Sequence, residues 1–318
     1  MPTRREFLAT SLAAGAYTLG GRSVRTAEPA LHVNAARLRA DLEGLSVFGR
    51  PRDGTFADGV TRVGFSDADV EGRRFVIGLM RAAALEPRVD AAGNIFARRP
   101  GRDDNLPPIL FGSHIDSVPQ GGNFDGDLGS LGALEAIRVL NERRIETRHP
   151  LEIVVWTNEE GVAYGNGLCG SRAAAGLLEP GELDQVWNGV VKRDAIRKIG
   201  GEPDRIDSAR RAPGSIRCYF ELHIEQGGRL EQSRTDVGVV QGIVSIDRYD
   251  VAVHGFANHA GTTPMPERKD ALIAAAQLAL AVREIVMREP GHQVGTVGQL
   301  SVSPNAPNVI PGLVKHTI

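Results

Sequence analysis

The chain has 318 residues, 42% of them hydrophobic and 24% charged, with a formal net charge of −2. This is a globular composition with apolar material for two domains, and the near balance of charge argues against nucleic-acid or acidic-membrane binding. Its two cysteines, Cys169 and Cys218, make no disulfide framework and no metal-binding spacing, so buried free thiols are expected.

At the N-terminus, Thr3-Arg4-Arg5-Glu6-Phe7-Leu8 precedes a weakly apolar run, residues 9–21. A short basic segment followed by an uncharged stretch is the anatomy of an export signal, and the run is too short to anchor in a bilayer. The paired arginines resemble the bacterial twin-arginine signal, which carries folded proteins and implies a periplasmic or secreted mature chain. Residues 1–30 are assigned to this segment, with cleavage around Ala27–Ala30; an amphipathic helix belonging to the protein itself is the alternative.

In the mature chain, Val33, Leu38, Leu42 and Leu45 have helical spacing over residues 32–44. Residues 50–66 read as a Gly-, Arg- and Asp-rich loop. Ser66 is an N-cap candidate for a helix to about Leu85. Short strands are expected at Asn94–Ala97 and Ile109–Phe111, a helix at about Leu128–Arg143, and a buried strand at Leu151–Trp156. Strand, loop, helix, strand is a βαβ unit, which implies parallel strands covered by helices. The fold class is therefore α/β, a mixed, mostly parallel sheet with helices on both faces. Beyond Gly228, Val237–Val240, Ser245–His254 and Val294–Val302 alternate like strands around an Ala-rich helix, Asp270 to about Arg288. This pattern predicts a small inserted α+β unit, giving a catalytic domain over residues 31–232 and a second domain over 233–318.

Chemistry-bearing residues gather at strand ends. Gly112-Ser113-His114-Ile115-Asp116 through Asn123-Phe124-Asp125-Gly126 places one His and two Asp between glycines after an apolar strand. Neutral imidazole nitrogen and carboxylate oxygen are what a divalent cation takes as ligands; an ordinary polar βα turn has similar composition. Leu151–Trp156 runs into Thr157-Asn158-Glu159-Glu160-Gly161, where adjacent carboxylates raise each other's pKa. Cys218-Tyr219-Phe220-Glu221-Leu222-His223-Ile224-Glu225-Gln226-Gly227 is a third strand ending in His and acid residues. Open α/β sheets collect ligands at the carboxyl ends of their strands, and three such ends converging sets the turn reading aside. Asn258-His259-Ala260-Gly261-Thr262-Thr263-Pro264-Met265-Pro266 is neither apolar nor regular, so it is a candidate substrate-contact loop.

These motifs, with Gly170-Ser171-Arg172 and Asn308-Val309-Ile310-Pro311-Gly312, together resemble the di-metal amidohydrolases of the N-carbamoyl-L-amino-acid hydrolase, β-ureidopropionase and allantoate amidohydrolase group. That group is related to di-zinc aminopeptidases and carboxypeptidases. The resemblance spans residues 32–318 and implies hydrolysis of a linear amide C–N bond, above all in N-carbamoyl-L-amino acids, by a water held between two divalent ions. Zinc, manganese and cobalt all accept such ligands. By position it implies that His114 and His223 bind the first ion, Asp125 bridges both, and Glu160 binds the second. It makes Glu159 the general base and Asp116 the group that orients His114 through its other ring nitrogen. Gln226, His259 and Asn308 become substrate contacts, and the second domain a lid that also forms a homodimer.

Members of the group continue past the position of Ile318 with further sheet strands, an Arg for the substrate carboxylate and a His for the second metal. Without these, the second site lacks one expected His and the sheet keeps an unpaired apolar edge. The alternatives are allantoate or aminopeptidase-type activity, or an inactive truncated remnant that only binds metal or ligand.

Overall fold

The computed structural model describes residues 31–318, so the export-signal reading lies outside the described residues. The chain divides into two compact units, Met1–Thr235 and Asp236–Ile318.

In the first unit, α1 (Ala35–Leu45) is capped by the Asn34 side chain, and α2 (Asp67–Ala82) by Ser66 with Asp67 and Asp69 in its first turn, where acid suits the helix dipole. Strands β1 (Glu86–Val89), β2 (Ile95–Arg99), β3 (Ile109–His114) and β4 (Leu151–Trp156) follow, with α3 (Asp127–Glu142) between β3 and β4. Together with β7 (Cys218–Phe220) they form one sheet in the order β1-β2-β4-β3-β7. β3 runs parallel to β4 and to β7, whereas β2 pairs antiparallel with β1 and β4. The sheet is thus mixed, and the β3–α3–β4 crossover is its parallel core.

Strand alternation decides which layer each residue joins. Ile153 and Val155 of β4 pack with Ile95, Ala97, Leu131, Leu134 and Ile137 on the α1–α3 side. Val154 and Trp156 pack with Phe96, Leu110 and Ala174 on the other, where α4 (Cys169–Ala175) lies. All six residues of β4 are buried, as befits a central strand covered on both faces.

Between β4 and β7 the chain adds a two-stranded ribbon, β5 (Val186–Trp187) and β6 (Val190–Val191), and α5 (Lys192–Lys198). Sequence periodicity assigned none of these. The predicted strand at Cys218 is real but short: it pairs with β3 over three residues and forms the sheet's edge, leaving Phe220 and Leu222 exposed. The short helix α6 (Arg229–Ser233) closes the unit.

The second unit is a three-stranded antiparallel sheet, β8 (Asp250–His254), β10 (Leu313–Thr317) and β9 (Gln299–Ser303) in that order. Helix α7 (Ala271–Arg288) packs on one face through Ala271 and Ala275 against Val314. The expected strand at Val237–Val240 does not form, and those at Ser245 and Val294 begin only at Asp250 and Gln299. Val237, Val239, Val240 and Ile246 are all more than 70% exposed. Alternation suits a strand, but a strand also needs a ladder partner, and residues 237–248 have none among the described residues, backbone pairing starting at Tyr249 opposite Ile318. Among the described residues no helix is long and apolar enough to cross a membrane.

Candidate metal centre

The site begins where β3 ends. Gly112 has φ +147°, and a Cβ there would lie 1.9 Å from the Val154 carbonyl oxygen, so only glycine lets β3 and β4 approach this closely. Two residues on, His114 is buried at the strand's carboxyl end. Its Nδ1 donates to the Asp116 carbonyl oxygen at 2.9 Å. A carbonyl only accepts, so the neutral ring carries its proton on Nδ1 and presents a lone pair on Nε2.

The loop then returns to start α3. Gly126 (φ +67°) precedes the helix, and a Cβ there would meet the His114 ring at 2.5 Å. This close passage brings Asp125 to the imidazole, with Oδ1 3.9 Å from His114 Nε2. The stretch after β7 supplies His223, whose Nδ1 donates to the Ile224 carbonyl oxygen at 2.7 Å and whose Nε2 lies 3.3 Å from the same Asp125 Oδ1. Both lone pairs therefore turn toward one oxygen, which is buried and has no hydrogen-bond partner among the described residues. Ligand atoms of His114, Asp125 and His223 all lie within 4.8 Å of one another. An orphaned carboxylate oxygen faced by two imidazole acceptors is unfavourable without a cation, and this donor set fits a divalent one.

Glu159 follows β4, and its Oε2 lies 3.5 Å from His114 Nε2. Its backbone is held by Asp116, whose carboxylate accepts the N–H of Glu159 at 3.0 Å and of Glu160 at 3.1 Å. Burial pushes the Asp116 carboxyl up to about 7, against the opposing pull of His114. This revises the role expected for Asp116: the backbone carbonyl orients His114, while the carboxylate, 3.9 Å from Nδ1, pins the Glu159-Glu160 turn. Burial also raises the Glu160 carboxyl, with Asp125 and Glu159 adding like charge. At His114 burial disfavours the cation, but Asp116 and Glu159 outweigh it and the pKa is raised. The excess of carboxylates makes the cluster attractive to positive charge.

Glu160 lies outside the three-residue ligand group. Gln226, expected as a substrate contact, donates its amide to Asp125 Oδ2 at 2.5 Å, so the two oxygens of Asp125 have different partners. In the second unit, the Gly261 N–H donates to His259 Nδ1 at 3.1 Å, which leaves the proton of the neutral ring on Nε2. The Asn308 carbonyl accepts the N–H of Ala260 at 2.9 Å, tying the two loops together.

Residues 110–307 match the Peptidase family M20/M25/M40. The chain belongs to that family. It is 42% identical over 286 residues to an N-carbamoyl-L-amino-acid amidohydrolase of Paenarthrobacter aurescens, covering 89% of this chain and 68% of that protein. It is also 42% identical over 289 residues to a ureidoglycolate hydrolase of Arabidopsis thaliana, covering 88% and 60%. Among solved structures, a hydantoinase/carbamoylase family amidase from Burkholderia ambifaria superposes with a TM-score of 0.73 at 40% identity, covering 91% of this chain and 70% of that one. The chain thus spans between about three fifths and seven tenths of the length of these relatives.

Sequence reasoning missed Arg62. Its fully buried guanidinium donates to the carbonyls of Ile115, Leu45 and Phe48 and pairs with Asp127, clamping both ends of the loop that carries His114 and Asp125. Its one signal was an Arg in an otherwise featureless loop, which is normally a surface residue. The Gly170–Arg172 motif is now accounted for structurally. A Cβ at Gly170 would lie 1.9 Å from Asn94 Oδ1, and Arg172 pairs with buried Glu182.

Proposed function

We propose that this chain hydrolyses a carbamoyl C–N bond of N-carbamoyl-L-amino acids; the carbamate left by that cleavage loses carbon dioxide spontaneously, so the final products are the amino acid, ammonia and carbon dioxide. The observation that carries the proposal is the orphaned Asp125 Oδ1 facing His114 Nε2 and His223 Nε2, with Glu159 beside them. The M20 family match implies metal-dependent hydrolysis, and the name of the Paenarthrobacter relative supports this substrate class.

His114, Asp125 and His223 would hold one divalent ion, zinc, manganese or cobalt. A bound ion supplies Lewis acidity, polarising the substrate carbonyl and lowering the pKa of water. A second ion would be held by Glu160 and Asp125. Glu159 Oε2 takes the proton of the attacking water and returns it to the departing nitrogen, the general acid–base role. Asp116 keeps the Glu159 backbone in place during the transfer. Gln226, His259 and Asn308 contact the substrate, His259 offering the Nε2 proton that its Nδ1 contact leaves free. The assignment extends to a homodimer formed through the second unit and to export through the Arg4-Arg5 segment.

The Arabidopsis relative supports a second reading within the same chemistry, a ureido substrate. The test is ammonia release by the purified chain from N-carbamoyl-L-amino acids, allantoate and ureidoglycolate. The account expects turnover of the first class, lost on chelation and restored by zinc, manganese or cobalt. Turnover that survives complete metal removal refutes it, and faster release from a ureido substrate moves the assignment to the second reading.

A further inference from the structure

The spacing of His114 and His223 is not set by the backbone. β7 pairs with β3 only as far as Phe220 opposite Phe111. Beyond that pair β3 continues to His114 with β4 as its only ladder neighbour among the described residues, and the chain from Glu221 to His223 is outside any strand. Side chains bridge the gap. Glu221 accepts from Ser113 Oγ at 2.5 Å through Oε1 and from the Tyr219 hydroxyl at 2.6 Å through Oε2. The Tyr219 oxygen accepts from Trp156 Nε1 at 2.9 Å.

Each member of this strap sits beside a residue of the site. Ser113 precedes His114, Trp156 ends the strand that leads to Glu159, and Glu221 leads directly into Leu222-His223. Burial and the Glu221 carboxylate hold the Tyr219 hydroxyl in its protonated, donating form, its pKa far above the ordinary tyrosine value. The Leu222 carbonyl is seated against Gly129 of α3, where a Cβ would come within 2.3 Å of it. That contact fixes one side of the segment, and the strap fixes the other.

We propose that Glu221 is a positioning residue whose carboxylate ties together the ends of β3, β4 and β7 and so sets the spacing of the cation ligands His114 and His223. The inference rests on the metal-centre reading above. Hydrogen bonds to a charged acceptor are the stronger kind, and partners that orient metal ligands typically contribute 10- to 100-fold in affinity.

The test is a cobalt(II) titration of the purified, metal-stripped chain, followed by visible absorption and by calorimetry, with unfolding of the metal-free proteins measured alongside. Glu221→Ala is expected to weaken cobalt binding by about 10- to 100-fold and to shift the absorption bands. Glu221→Gln keeps an oxygen acceptor, and its affinity is expected to lie between the two with bands close to wild type. A Glu221→Ala chain that is less stable yet binds cobalt with wild-type affinity and bands overturns the positioning role, leaving Glu221 a structural acceptor. A wild-type chain that binds no cobalt overturns the metal centre itself, a result distinct from the first.

Discussion

At the residue scale the site is a matter of which nitrogen carries which proton. His114 and His223 each commit Nδ1 to a backbone carbonyl, which aims both Nε2 lone pairs at Asp125. Asp116 does more than the resemblance implied: its backbone carbonyl accepts from His114 Nδ1, and its carboxylate holds the two N–H groups that open the Glu159-Glu160 turn. Replacing Asp116 by Ala should therefore lower kcat about 10- to 100-fold by loosening the base while leaving the first ion bound, because the His114 contact uses the main chain. Parallel steady-state kinetics and metal analysis check this; loss of the metal with unchanged kcat on reloading would contradict it. His114, Asp125, Glu159 and His223 stood out as candidates because they lie at or beyond the carboxyl ends of strands, where little but chemistry calls for such residues. The Arg62 clamp did not, because its role depends on three carbonyls that become neighbours only in the fold.

At the element scale, apolar period and capping residues were good guides where an element packs on both sides. β4 falls at its predicted bounds, Leu151–Trp156, and α3 and α7 within a residue of theirs. They failed at residues 237–248, where an alternating pattern has no ladder neighbour among the described residues, and at residues 176–210, where a small apolar cluster of Leu183, Ala195, Ile196 and Ile199 is joined by a buried ion network. There Glu182, fully buried, accepts from Lys192 at 2.6 Å and from Arg172 at 2.6 Å. Burial alone would raise the Glu182 carboxyl, but the Lys192 and Arg172 hydrogen bonds outweigh it and hold the pKa below the ordinary 4.5. A depressed folded-state pKa gives stability that is present above the unfolded value and lost as pH falls through the folded one. Glu182→Gln should accordingly destabilise the chain at neutral pH, by about 3–5 kcal/mol if Lys192 stays charged and uncompensated. It should also flatten the acid limb below 4.5. Urea unfolding of both proteins from pH 7 down to pH 3 measures both effects, and parallel acid limbs would show that Glu182 does not supply the slope.

At the scale of the whole molecule, the order of motifs carried more than any one of them. A His between glycines is common; the His/Asp and His/Glu strand ends together place ligand atoms of His114, Asp125 and His223 within 4.8 Å of one another, the Glu/Glu end sets Glu159 beside His114, and the order of the three agrees with the family match. The chain divides into its two units at Thr235. The finer assignments, which amide is cleaved and how many ions take part, depend on pocket residues that spacing does not encode. Catalysis here requires Glu159 to act as the base beside a cation held by other residues. Glu159→Gln at matched metal content, assayed by ammonia release from an N-carbamoyl-L-amino acid, tests this most directly. Full metal occupancy with turnover reduced by about 10²- to 10⁴-fold is expected; undiminished turnover at equal occupancy would exclude Glu159 as the base.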